Sequence, residues 1–180
     1  AALFAVAAGA AFVKFAGEAI GAFQDLALAV DKFSIASGMK AEDASRWVEV
    51  AGDLGINVDQ VQTAMGRMNR TIGEKPNLFR DLGVDLVYAA DGSLDVNATF
   101  LNTIQHLKDI KDPAQRAKEG VKLLGKGWTD MALLIDQGSS NLSASLASVS
   151  DAKIIDETEI GKARNFRDAT NELKDQFEDL

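Results

Sequence analysis

"SGMKAEDASRWVEVAGDLGINVDQVQTAMGRMNR", Ser37 to Arg70, carries one phrase twice: Gly38-Met39-Lys40-Ala41-Glu42-Asp43-Ala44 and, 17 residues on, Gly55-Ile56-Asn57-Val58-Asp59-Gln60-Val61. Each copy reads as a glycine stop, a two-residue link and an acidic first turn that suits the positive end of a new helix. Between the stops, Ala44, Trp47, Val48, Ala51 and Leu54 fall on one helical face, and after Gly55 so do Val58, Val61, Met65, Met68 and Ile72. Asn57 with Gln60 resembles a capping box. Lys40 occupies the equivalent slot in the first copy but cannot accept an amide hydrogen bond, so that start is the weaker one.

The same periodicity extends outward in both directions. Phe12, Phe15, Ala19, Phe23, Leu26, Val30 and Phe33 lie in steps of three and four, the stripe of a long amphipathic helix over residues 1–37 that Gly38 closes. Leu78, Phe79 and Leu82 form a short apolar cluster among turn residues. Val84 to Ala89, an Asp91-Gly92 turn and Ser93 to Val96 give the one hairpin signal, at 84–96. Asn97 is placed to cap a helix carrying Phe100, Leu101, Ile104, Leu107 and Ile110, and Pro113 suits the first turn of the next. Trp128, Met131, Leu134 and Ile135 continue the pattern to Gly138. The serine-rich stretch 139–150 reads as a linker or a weak helix. Ala163, Phe166, Thr170, Leu173, Phe177 and Leu180 then make a short heptad stripe within 151–180.

These patterns predict a predominantly all-α chain: a compact helical module over 38–138 with one short hairpin, between long amphipathic helices. Composition agrees, with 2 prolines, 47% hydrophobic and 26% charged residues in 180. No cysteine is present, so disulfides, thiolate metal sites and thiol nucleophiles are excluded. A formal net charge of −8 argues against general affinity for phosphate backbones. The apolar run Ala1 to Val13 is too short to span a bilayer and lacks the basic region of a signal peptide. A start without Met and an end within a helical pattern suggest a piece of a longer chain.

Several near-motifs fail on their chemistry. "GVKLLGKG", Gly120 to Gly127, matches a phosphate loop until its last position, where Gly127 supplies no hydroxyl for magnesium, and its middle reads as helix. "ADGSLD" resembles the centre of a calcium loop, but the first, third and twelfth places fall on Val87, Ala89 and Ala98, which offer no side-chain oxygen. His106 is the only histidine and reads as a surface or boundary residue. The paired acids Glu42-Asp43 and Asp156-Glu157 fit acidic first turns better than acid-base catalysis. A helix-turn-helix reading of 41–72 would use Arg46, Arg67 and Arg70 on phosphates, yet Glu42, Asp43, Glu49, Asp53 and Asp59 share the unit. No catalytic, cofactor or metal-binding residue is assigned, and the chain is not expected to be an enzyme.

From about Ala10 onward the sequence resembles the tail tape measure proteins of long-tailed bacteriophages and prophages. The resemblance rests on "AAFVKFAGEAIGAFQDLALAVDKFSIASGMKAEDASRWVEVAGDLGINVDQVQTAM" and on "LGVDLVYAADGSLDVNATFLNTIQHLKDIKDPAQRAKEGVKLLGKGWTDMALLIDQG", with Asp91-Gly92, Asp112-Pro113, Arg116 and Leu123-Leu124-Gly125-Lys126 in order. Lys40 departs from the small polar cap usual there. The resemblance implies a structural virion protein that occupies the tail lumen, sets tail length during assembly in the host cytoplasm and leaves during genome ejection. It also implies self-association through helices and contact with the tail tube protein, tail assembly chaperones and tail tip proteins, without specific nucleic-acid binding. Membrane contact would belong to the parent chain during ejection. The alternative is a helical protein–protein interaction or regulatory domain. The patterning predicts a helix-dominated circular dichroism spectrum for the isolated chain; a mainly sheet spectrum would contradict it.

Overall fold

The computed structural model describes the backbone of residues 2–178 and the side chains of residues 20–176. Among the described residues eight α-helices run in order: α1 (Ala2–Ser37), α2 (Ala41–Asp53), α3 (Val58–Glu74), α4 (Pro76–Asp81), α5 (Val96–Asp109), α6 (Pro113–Leu124), α7 (Ala132–Ser148) and α8 (Glu157–Glu178). Short 3₁₀ turns at Lys126–Met131 and Asp151–Lys153 lead into α7 and α8. The fold is all-α, as the periodicity predicts.

Both glycine stops work as read. Gly38 and Gly55 adopt φ of +74° and +68°, the left-handed conformation that ends α1 and α2. Lys40 makes no side-chain cap, whereas Asn57 accepts the amide of Asp59 at 2.8 Å. Asn69, on α3, reaches across to donate to the Ser37 carbonyl at the end of α1. The repeated phrase therefore places α1, α2 and α3 in mutual contact.

Three consecutive residues of α2 tie distant parts of the chain together. Trp47 is fully buried, its ring edge-on to Phe100 of α5 at 5.5 Å, and its indole N–H donates to Asn97 Oδ1 at 2.8 Å. Burying an indole strands a donor unless an acceptor accompanies it, and Asn97 supplies that acceptor. The buried Ser45 accepts the Ile155 amide at 2.9 Å, fixing the segment that enters α8. Arg46 donates to the Leu146 and Val149 carbonyls, each at 3.2 Å, satisfying free acceptors at the end of α7.

The core consequently crosses both edges of the expected 38–138 module. Ala27, Val30 and Phe33 of α1 belong to it, as do Leu142, Leu146, Ile155, Ile160 and Ala163. The serine-rich stretch is helix through Ser148, kinked at Gly138, with Leu142 and Leu146 facing inward. At Gly138 the Lys108 side chain crosses so closely that a Cβ would lie 2.7 Å from Lys108 Cδ. Phe23 and Leu26 of the expected α1 stripe are 39% and 38% exposed, and Ala27 turns inward instead. The expected stripe positions Phe12, Phe15, Ala19, Phe177 and Leu180 lie outside the described side chains.

The hairpin expected at 84–96 is reduced to a single antiparallel bridge, Tyr88 to Leu94, with no β-strand among the described residues. Asp91-Gly92 does turn the chain, with the Ala89 amide donating to the Ser93 carbonyl at 2.8 Å. Pairing stops because Asp95, rather than the expected Asn97, caps α5 by accepting the Ala98 amide at 2.9 Å, and because the Val87 amide donates to Thr99 Oγ1. Asn97 is thereby released for Trp47. Trp47→Ala is expected to cost about 3–5 kcal/mol and Asn97→Ala about 1–3 kcal/mol, measured by urea denaturation; equal stability of Asn97→Ala and the parent would contradict the role of this bond.

Candidate functional site

The phosphate-loop lookalike is packing structure. Gly120 lies within α6 against the Trp128 ring, where a Cβ would come 2.5 Å from a ring carbon. Gly125 closes α6 at φ +81° and lies under Arg67. The intervening residues are helical, so their amides bond along α6 and do not face a common centre. The calcium-loop lookalike is equally local. Asp91 Oδ1 accepts both the amide and the hydroxyl of Ser93, bonds that hold its carboxyl below the usual carboxylate range. Among the described residues, no group of three or more His, Asp and Glu could hold a metal ion.

The paired acids also separate by role. Asp156 and Glu159 form a reciprocal capping box at the start of α8, the Glu159 amide donating to Asp156 Oδ1 at 2.8 Å and the Asp156 amide to Glu159 Oε2 at 3.2 Å. Glu42 and Asp43 occupy the first turn of α2, and burial, followed by the nearby charges of Asp95 and Glu42, pushes the Asp43 carboxyl up.

His106 has a partner that the sequence pattern does not reveal. Its Nε2 lies 2.6 Å from Glu119 Oε2, bridging α5 and α6, while Gln115 donates to the other carboxylate oxygen. Glu119 is 6% exposed. Its burial works to push the carboxyl up, but the bonds from His106 and Gln115, with the charges of His106 and Lys122, outweigh it and hold the carboxyl below its ordinary value. The 13-residue separation carries no helical signature because the tight turn before Asp112-Pro113 brings the two faces together. Gln115 and Glu119, four apart on α6, were the only local hint.

The arginines of the helix-turn-helix reading diverge. Arg46 is committed to the end of α7, with Asp151 3.5 Å away, whereas Arg67 and Arg70 face a groove beside α6. A second surface lies between α1 and α8, which pack together and are joined by the Arg164–Asp31 ion pair. Beside it Ile20, Phe23, Leu26, Phe166 and Leu173 are all at least 38% exposed. Ile20, Phe23, Ala163 and Phe166 line a shallow apolar groove there. Among the described residues, no helix is long and apolar enough to cross a membrane.

No protein-family model, curated protein or solved structure matches the chain.

The carboxylate of Glu119 makes a testable contribution to stability. Because its folded pKa is depressed, the contribution is complete above the unfolded value of about 4.3 and is lost as pH falls through the lower folded value. Glu119→Gln is expected to destabilise by about 1–3 kcal/mol at neutral pH. In paired denaturation curves the gap between parent and variant should narrow below about pH 4; a gap independent of pH would contradict the assignment.

Proposed function

We propose that the chain is a structural segment of a tail tape measure protein, working in the lumen of a bacteriophage tail as part of the ruler that sets tail length. The reading starts from the sequence resemblance. The observation that carries it is the α1–α8 pair, helices of 36 and 22 residues, joined side by side and edged by exposed apolar residues. Such an edge suits lateral association of helices, since covering exposed Phe, Leu and Ile is the main driving force for helix pairing in water.

A helical ruler converts residue number into length at about 1.5 Å per residue. By that measure α1 alone extends about 54 Å. The middle of the chain folds back on itself, so the segment contributes less than the roughly 270 Å that 180 residues would span as one helix. In this role the partners are further copies of the chain, the tail tube protein, assembly chaperones and tip proteins. The acidic net charge would keep the segment from adhering to packaged DNA and leave it free to exit ahead of the genome.

The same exposed edge also fits a helical adaptor that binds one partner helix. Genes for a tail tube, chaperones and tip proteins beside this one favour the tape measure reading, and their absence favours the adaptor. Electron microscopy of tails assembled with an in-frame deletion of these 180 residues tests the function itself. Tails shorter by a fixed increment of less than about 270 Å are expected; tails of unchanged length would reject the ruler.

A further inference from the structure

A groove between α3, α4 and α6 opposes the charge of the rest of the chain. Arg67, Arg70, Lys75 and Lys122 line it, with Glu74 as its only acid, on a protein whose formal net charge is −8. Arg67 also borders the adjoining hollow, to which Lys126 contributes. All these cations are exposed.

Several cations of this chain do pair with acids: Lys32 with Asp59, Lys153 with Glu49 and Arg164 with Asp31. Among the described residues, the side chains of Arg67, Arg70 and Lys75 take no hydrogen bond or ion pair. Arg67 and Arg70 stand one helical turn apart, where like charges repel mildly. Arg67 packs over Gly125, yet the charged ends of all four cations border one groove, where an anionic occupant would relieve their repulsion.

The floor of the groove distinguishes between anions. Leu78 is half-buried and Val121 is 46% exposed, so apolar surface lies among the cations. A phosphate backbone makes little use of such a surface, and the acidic field of the whole chain, with Glu74 in the groove, opposes a long polyanion. A peptide that alternates acids with an apolar residue uses both. The groove volume, about 450 Å³, admits the side chains of a short segment.

We propose that the groove bounded by Arg67, Arg70, Lys75 and Lys122 binds an acidic peptide segment of a partner protein, with an apolar side chain on Val121 and Leu78 and flanking carboxylates on the cations. Guanidinium groups suit this role because they meet a carboxylate with two parallel N–H bonds. The cations raise the rate of encounter and the apolar contact slows release. The inference stands apart from the tape measure reading, since any acidic partner segment of this pattern would fit.

Fluorescence anisotropy tests it with the full 180-residue chain and a dye-labelled peptide of leucine residues flanked by glutamates. Its controls are the same peptide with glutamine for glutamate and a single-stranded oligonucleotide of equal charge. The glutamate peptide should bind, weaken as ionic strength rises from about 0.01 M to about 0.15 M, and lose about tenfold or more in affinity with Arg67→Gln plus Arg70→Gln. Val121→Asp should weaken it as well, and the glutamine peptide should not bind. Lys75→Gln plus Lys122→Gln, which leaves Arg67 and its contact with Gly125 in place, repeats the test independently of any folding defect in the arginine pair. Absence of peptide binding, affinity unchanged in both double variants, or tighter binding of the oligonucleotide than of the peptide would overturn the proposal.

Discussion

The fold depends on one polar bond at the edge of the core, that between the buried Trp47 indole and the half-buried Asn97. A tryptophan at the centre of a helical core contributes a large apolar area but also an N–H that cannot be left without an acceptor. Satisfying it fixes where α5 begins, because Asn97 is available only if Asp95 takes over the cap. Ser45 and Arg46, immediately before Trp47, then secure the entry to α8 and the exit from α7. One turn of α2 thus determines the relative placement of segments about a hundred residues apart in sequence.

This arrangement explains which parts of the fold are readable from the sequence. The glycine stops, the helical faces of α2 and α3 and the Pro113 start are local effects, governed by backbone conformation and by the helical repeat, and they stand as the sequence predicts. The hairpin fails because its second strand competes with a stronger local signal, the Asp95 cap, and that competition is decided by the need of Trp47 for Asn97. The serine-rich stretch looks like a linker because its polar residues dominate composition. Leu142, Leu146 and Val149, in steps of four and three, reveal that one side of it is buried.

The functional surfaces divide in the same way. His106 is legible as a boundary residue, but Glu119 joins it through tertiary packing that no spacing rule encodes. Arg46, Arg67 and Arg70 look alike along the chain, and only the fold separates a structural arginine at the end of α7 from the pair facing the groove. The phosphate-loop lookalike has a related history: its glycines fit against Trp128 and Arg67, while its lysines help to line the two neighbouring hollows. The described residues present two chemically distinct surfaces, one apolar along α1 and α8 and one cationic beside α3.

A single core, organised by α2, runs from Ala27 in α1 to Ala163 in α8. Native-state hydrogen exchange read by mass spectrometry tests it most directly. Amides in α2, in α5 and in the first turns of α8 around Ile160 should exchange through one shared, slowest opening, and those beyond Phe166 should exchange much faster. Protection confined to residues 38–138, with the start of α8 exchanging as an independent unit, would show instead that the core does not extend into α8.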